Sequence, residues 1–204
     1  VLVGVCAPLS SDCVVRSGAD VAPCDSRARA GGGPAVAWPA DDGLCRTFPN
    51  DEGLLAILVF AFVVASAYVS LRLFAPRAAF VQVGAMIGTM MVGNVFFVII
   101  PAHWKLIRAK EANRDPDPRW NAAGKTRSVH NNYLTLPVVF AMLSNHFPLT
   151  YGHRNGWLVL VALMAIGALT RHYFNQRHRG LNVWPILVLA AAGIVALAIL
   201  LEPK

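Results

Sequence analysis

The sequence predicts an all-α fold: a polytopic transmembrane helix bundle of about five spans. Three observations predict it. Hydrophobic residues make up 56% of the chain and charged residues 14%, against roughly 25% charged in soluble domains. The mean hydropathy is +0.51, more apolar surface than a water-soluble fold of this size can hide. The apolar residues also fall in long uncharged runs, with the charges gathered between them. The formal net charge of +7 admits a nucleic-acid partner, but the basic residues lie in short loops between apolar runs and form no soluble basic face. No nucleic acid is expected.

Residues 1–41 are read as a low-complexity segment. They are rich in Ala, Gly, Asp, Pro and Arg, show no periodicity, and begin with Val1. Such a stretch buries too little to order itself, and its opening is a poor signal peptide. It is expected to be disordered or mistranslated. The transmembrane domain is assigned to residues 42–204, with spans at about 53–71, 78–101, 131–147, 156–174 and 183–201. The first is uncharged and closed by Arg72, Pro76 and Arg77. The second is long enough to cross with some tilt. The third is short unless His130 and His146 are neutral, which extends the charge-free stretch from Arg127 to Arg154. The fourth runs from Gly156, with Tyr173 and Phe174 extending it into an interfacial belt. The fifth opens with Trp184 as an interface anchor and Pro185 in its first turn.

Orientation follows from loop charge. The loop between the second and third spans carries Lys105, Arg108, Lys110, Arg114, Arg119, Lys125 and Arg127, and the loop between the fourth and fifth carries Arg171, Arg177 and Arg179. The opposite side has Arg72, Arg77, Arg154 and Lys204. Ten basic residues against four place both loops in the cytoplasm and Lys204 outside. The basic loop is also a candidate anion site.

No Asp or Glu lies inside a predicted span, which argues against a carboxylate-based proton pump or cation transporter. The polar groups are amides, hydroxyls and histidines: Gln82, Thr89 and Asn94 in the second span, and His130, Asn131, Asn132, Tyr133, Ser144, Asn145 and His146 around the third. Buried amides need partners, so they face another helix or a cavity. On a helical wheel Asn131, Thr135 and His146 share a 60° arc and Asn132 lies 40° beyond, while Pro137 frees the Tyr133 carbonyl. The pattern describes a ligand wall or an ordinary packed helix with one proline.

His130 and His146 are about 24 Å apart along an ideal helix and cannot share one metal. His103, His130 and His172 lie near one membrane face. Pairing His130 with His172 or His103 gives candidate axial ligands for a b-type haem. Cys6, Cys13, Cys24 and Cys45 form no C-x-x-C pair and have no histidine at ligand spacing, so no metal site is expected. Gly84-x-x-x-Gly88 with Gly93 reads as close helix packing. Nothing matches a P-loop, a dinucleotide fingerprint or a hydrolase triad.

Two stretches carry a resemblance: Gly93-Asn-Val-Phe-Phe-Val-Ile-Ile-Pro101, and Arg127-Ser-Val-His-Asn-Asn-Tyr-Leu-Thr-Leu-Pro137 continuing through Met142-Leu-Ser-Asn-His-Phe-Pro148, with Asp115-Pro-Asp-Pro118 between them. The chain from about Asp42 to Lys204 resembles the membrane domain of the bacterial cytochrome-c-linked urate oxidases, the urate hydroxylases of the PuuD type. The Leu44-Cys45-Arg46 and Arg171-His172-Tyr173-Phe174-Asn175 segments belong to the likeness. The resemblance implies a bacterial inner-membrane protein that oxidises urate to 5-hydroxyisourate and passes electrons to a c-type cytochrome, fused or separate. The haem c would sit on a cytochrome domain outside this chain, which has no C-x-x-C-H. The chain is expected to be a fragment covering the later helices of the domain, and by itself it lacks the acceptor that turnover needs.

Site residues follow from the chemistry of urate, a flat anionic purine. Its recognition needs amides for the ring edges, an aromatic face and a nearby cation. Arg127, Asn131, Asn132 and Tyr133 fit that need, His130 is suited to move a proton as the catalytic group, and Asn145 with His146 forms a second substrate-binding group. The two-electron sink must be a cofactor. Two other classes remain open: a b-type haem or quinone electron-transfer subunit, and a non-enzymatic transporter or assembly protein.

Overall fold

The computed structural model describes residues 26–48, 52–144 and 146–202, and all regular structure among them is helical. In chain order the elements are α1 (Ser26–Thr47), α2 (Glu52–Leu73), α3 (Pro76–Asn94), a π-helical turn (Val95–Ile99), α4 (Ile100–Glu111), α5 (Pro118–Ser144), α6 (Pro148–Tyr151), α7 (Gly156–His178) and α8 (Trp184–Leu200).

Local chemistry sets the ends. Pro76 opens α3 and Pro185 sits in the first turn of α8, where a missing N–H costs nothing. Asp117 caps α5, its carboxylate accepting from the Arg119 N–H at 2.9 Å. α4 closes through Asn113 at φ 50° and α7 through Gly180 at φ 82°. In each case the next N–H reaches back to a carbonyl of the last turn, Arg114 to Ala109 and Leu181 to Gln176. The π turn widens the helix just before Pro101, so α3, the turn and α4 run as one 36-residue helix from Pro76 to Glu111.

α3 is the hub. It packs against α1, α2 and α5, while α7 joins α5, α2 and α8. One apolar cluster gathers Val63 and Ala67 of α2, Phe80, Val83 and Ile87 of α3, Ala141 of α5, and Leu160 and Met164 of α7. A second joins Ala37 and Cys45 of α1 to Leu55, Val59, Met86 and Met90. Gly84 lets Met142 of α5 approach, since an added Cβ would stand 3.0 Å from its side chain. Gly93 is needed more strictly: a Cβ there would lie 2.1 Å from the Trp38 ring of α1. Gly88 meets no neighbour within 4 Å, so only part of the glycine pattern serves packing.

This is a membrane protein. Gly53–Leu73, Pro76–Glu111 and Gly156–His178 are long and apolar enough to cross a bilayer. Only 28%, 39% and 28% of their hydrophobic stretches are covered by protein, and Ile57, Phe60, Phe96 and Phe97 point outward. Apolar side chains turned away from the packed interior suit a lipid solvent. α8 is a shorter apolar helix of 17 residues at the edge of the bundle. The five expected spans correspond to α2, α3 with its extension, α5, α7 and α8, but α5 carries charge in its first half and does not reach the same hydropathy.

Four expectations change. From Ser26 the segment expected to lack order is helical, and Ala37, Asp41 and Cys45 are buried on one face at i, i+4 and i+8. Poor intrinsic propensity, with Pro34 and Pro39 inside the helix, is overridden by packing on α3 and α2. Residues 1–25 lie outside the described residues. The third span expected at 131–147 is instead α5, starting at Pro118 and ending at Ser144, so His146 falls in a turn and leaves the polar stripe. The basic loop shrinks to residues 112–117: Lys105, Arg108 and Lys110 lie on α4, and Arg119, Lys125 and Arg127 on α5. Finally, α1 brings a buried carboxylate, Asp41, against the bundle, although no predicted span contained one.

Candidate functional site

Two polar networks flank α5, one toward α1 and α3, the other toward α7. Adjacent residues on a helix point 100° apart, and Asn131 and Asn132 accordingly enter different networks.

The first network is centred on Arg127, whose side chain is 6% exposed. Its Nη1 donates to the Asp41 carbonyl at 3.2 Å, to Asp41 Oδ2 at 3.2 Å and to Asn94 Oδ1 at 3.3 Å. Its Nη2 donates to Asp42 Oδ1 at 2.6 Å and to the Asp42 carbonyl at 3.3 Å. Asn94 Nδ2 donates to Asp41 Oδ2 at 2.8 Å and to Asn131 Oδ1 at 3.2 Å, and Asn131 Nδ2 donates to the Met91 carbonyl at 2.9 Å. Thus every polar group of Asn94 and Asn131 is spent between helices. His130 Nδ1 stands 3.6 Å from Cys45 Sγ and 3.7 Å from Asp41 Oδ1.

α1, which carries the titrating groups, is not among the three candidate spans. Burial pushes the Cys45 thiol up to about 12, with Asp41 adding to the shift. Burial alone would raise the Asp41 carboxyl as well, but His130, Asn94 and the Arg127 charge outweigh it and hold the group below its ordinary value.

The second network joins α5 to α7. Asn132 Nδ2 donates to Asn175 Oδ1 at 2.9 Å, and Asn132 Oδ1 accepts from Arg171 Nε. The Tyr133 hydroxyl and His172 Nδ1 are hydrogen-bonded at 2.8 Å, with the two rings stacked 6.0 Å apart. His172 Nε2 lies 3.3 Å from the Gln176 amide. Arg171, Asn132, Tyr133, His172 and Asn175 are all half-buried. Among the described residues no carboxylate pairs with Arg171.

The structure therefore gathers Arg127, His130 and Asn131 on one side of α5 and Asn132 with Tyr133 on another. His146 is exposed in the turn after α5, and Asn145 lies outside the described residues. The network members that sequence reasoning passed over are Asp41, set aside with residues 1–41, Asp42, Cys45, read as having no histidine at ligand spacing, and Arg171 and Gln176. Asn94, expected to face another helix or a cavity, bridges α1 and α5.

A b-type haem would need two imidazole nitrogens free to meet the iron at one depth. His172 has both nitrogens engaged, His130 turns Nδ1 toward Cys45 and Asp41, and His103 is exposed. His172 therefore offers no free nitrogen to pair with His130 across an iron. A c-type haem is attached through C-x-x-C-H, which this sequence does not contain.

The urate oxidase N-terminal family matches residues 12–202. The match takes in residues 12–41, so it extends well before Asp42, where the likeness read from the sequence began. No curated protein and no solved structure matches the chain. With nearly its whole length matched, the chain belongs to the urate oxidase N-terminal family.

Proposed function

From membership in that family, we propose that the chain is the membrane domain of a urate-oxidising enzyme and that the α5–α7 face binds the purine. One observation carries the placement. Arg171 is a half-buried cation with no carboxylate partner among the described residues, beside the Asn132–Asn175 amide pair and the stacked Tyr133 and His172 rings. Urate is anionic, so it needs a cation whose charge is not already spent. Arg127, expected from the sequence to fill that role, is neutralised by Asp41 and Asp42.

Oxidation takes urate and water to 5-hydroxyisourate, two protons and two electrons. The electrons pass to a c-type cytochrome, fused or separate, whose haem supplies one-electron acceptance. This chain's residues bind, orient and move protons. Arg171 holds the purine's negative charge. The amides of Asn132 and Asn175 meet carbonyl and N–H edges, and the Tyr133 ring offers a stacking face. With the Gln176 amide turned so that its Oε1 accepts from the His172 Nε2–H, Nδ1 accepts the Tyr133 hydrogen. The Tyr133 oxygen then takes a proton from urate as its own passes to His172. The proton-carrying role expected of His130 moves to His172, because His130 turns to α1. The loop charges support an inner-membrane protein with the α4–α5 and α7–α8 connections in the cytoplasm.

The test is urate-dependent reduction of added ferricytochrome c by membranes containing the protein with its cytochrome partner. Wild type is expected to reduce it, while Arg171→Gln and Tyr133→Phe insert normally and lose most of the rate. Undiminished turnover in Arg171→Gln overturns the placement. Absence of urate-dependent reduction in wild type overturns the activity.

A further inference from the structure

We infer that Asp41 Oδ1, Cys45 Sγ and His130 Nδ1 form a binding site for a zinc-class divalent cation where α1 docks on α5. The inference goes beyond urate chemistry and does not depend on it.

Three different ligand types converge, their donor atoms all within 4.8 Å of one another. The spacings suit a tetrahedral ion. Zinc bond lengths of about 2.3 Å to sulfur and about 2.0–2.2 Å to nitrogen and oxygen put neighbouring S and N about 3.5 Å apart, and N and O about 3.4 Å apart. The observed separations are 3.6 Å from Cys45 Sγ to His130 Nδ1 and 3.7 Å from Asp41 Oδ1 to His130 Nδ1. Those two edges need only a few tenths of an ångström, while the Asp41–Cys45 edge, within 4.8 Å, closes toward about 3.6 Å as the metal draws the carboxylate and thiolate together.

An independent observation points to an occupant. Asp41 is buried, and among the described residues its Oδ1 has no hydrogen-bond partner, the nearest polar group being His130 Nδ1 at 3.7 Å. A carboxylate oxygen left bare in a dry interior is costly. Its sister Oδ2 accepts from Asn94 and Arg127, which orients the group as outer partners orient metal-binding carboxylates. Asp41 and Cys45 are one helical turn apart on α1, so both reach His130 from the same side.

On binding, the Cys45 thiol gives up its proton to solvent. Three protein ligands leave the fourth tetrahedral position for a solvent oxygen.

The test uses the full chain in detergent, stripped with a chelator and titrated with Co²⁺ without urate. One Co²⁺ per chain is expected, with the thiolate-to-cobalt charge-transfer band and the strong visible bands of a tetrahedral site, and Zn²⁺ displaces it. Cys45→Ser, nearly isosteric and checked for a native circular dichroism spectrum, is expected to lose the charge-transfer band. His130→Gln should weaken binding by more than the roughly 10–100-fold that loss of an outer partner costs. A variant with Cys6, Cys13 and Cys24 all changed to Ser should keep the band. Absence of Co²⁺ binding to wild type, or a band that survives in Cys45→Ser, overturns the inference. So does its disappearance in the triple variant. None of these readouts involves urate, so their failure is distinct from failure of the proposed activity.

Discussion

Replacing Arg127 by Met separates a structural arginine from a substrate-binding one. The side chain is 6% exposed and its two terminal nitrogens make five contacts, to both aspartates of α1 and to Asn94. Met fills much of the same volume but leaves Asp41, with a fully buried side chain, without its arginine counter-charge, while Asp42, 13% exposed, keeps Arg46 at 2.7 Å. Removing one partner of a buried pair costs about 3–5 kcal/mol, because the remaining charge is uncompensated. The assay is reversible unfolding in mixed micelles, followed by helical circular dichroism. Asp41→Asn in the Arg127→Met background should recover part of the loss, with a coupling of about 1–3 kcal/mol. Urate affinity, measured on the folded fraction, should change little. A cost below about 1 kcal/mol, or strict additivity of the two changes, would refute the claim that this pair fastens α1 to the bundle.

Gly93→Ala places a methyl 2.1 Å from the Trp38 ring, which also packs 4.5 Å from Phe97. The ring must leave its seat, at about 1–3 kcal/mol for overpacking, while Gly88→Ala, with open space around it, should be close to neutral in the same unfolding assay. Arg171→Gln should weaken urate binding about 10–100-fold, the worth of one charged hydrogen bond at about 1.5–3 kcal/mol. Arg171→Lys should fall between, since an ammonium keeps the charge but not the planar fork. Chelator treatment of the as-purified protein should lower its thermal midpoint if zinc is present, and added Zn²⁺ should restore it. Alkaline carbonate washing should leave the wild-type chain in the membrane pellet, and its release into the supernatant would contradict the reading of α2, α3 and α7 as embedded helices.

Much of the fold is legible as apolar run length. α2, α3, α7 and α8 carry unbroken hydrophobic stretches, and Pro76 and Pro185 mark where two of them begin. Hydropathy does not see α1 or the first half of α5. Both are helical because their polar residues satisfy one another: Arg127 is acceptable inside a bundle only with Asp41 and Asp42 beside it. Such mutual compensation joins residues 86 positions apart, beyond any local pattern. The site was half legible. The amide-rich string from His130 to Tyr133 drew attention to the right helix. Asn131 and Asn132, 100° apart, were nevertheless assigned to one wall when that angle alone sends them to different neighbours. Arg171 was visible within the family-like segment but was counted as a loop charge, whereas it lies on α7 against Asn132. The i, i+4 spacing of Asp41 and Cys45 was also present in the sequence, but Asp41 was set aside with residues 1–41 and Cys45 was searched only for histidines nearby in sequence.

The account's central claim, that this membrane bundle holds urate on the α5–α7 face, is tested most directly by equilibrium titration of urate into the purified chain in lipid nanodiscs. Saturable binding of one urate per chain, strongly weakened in Arg171→Gln and retained in the folded fraction of Arg127→Met, is the predicted result. Binding unaffected by Arg171→Gln, or none at all to the wild-type chain, would contradict it.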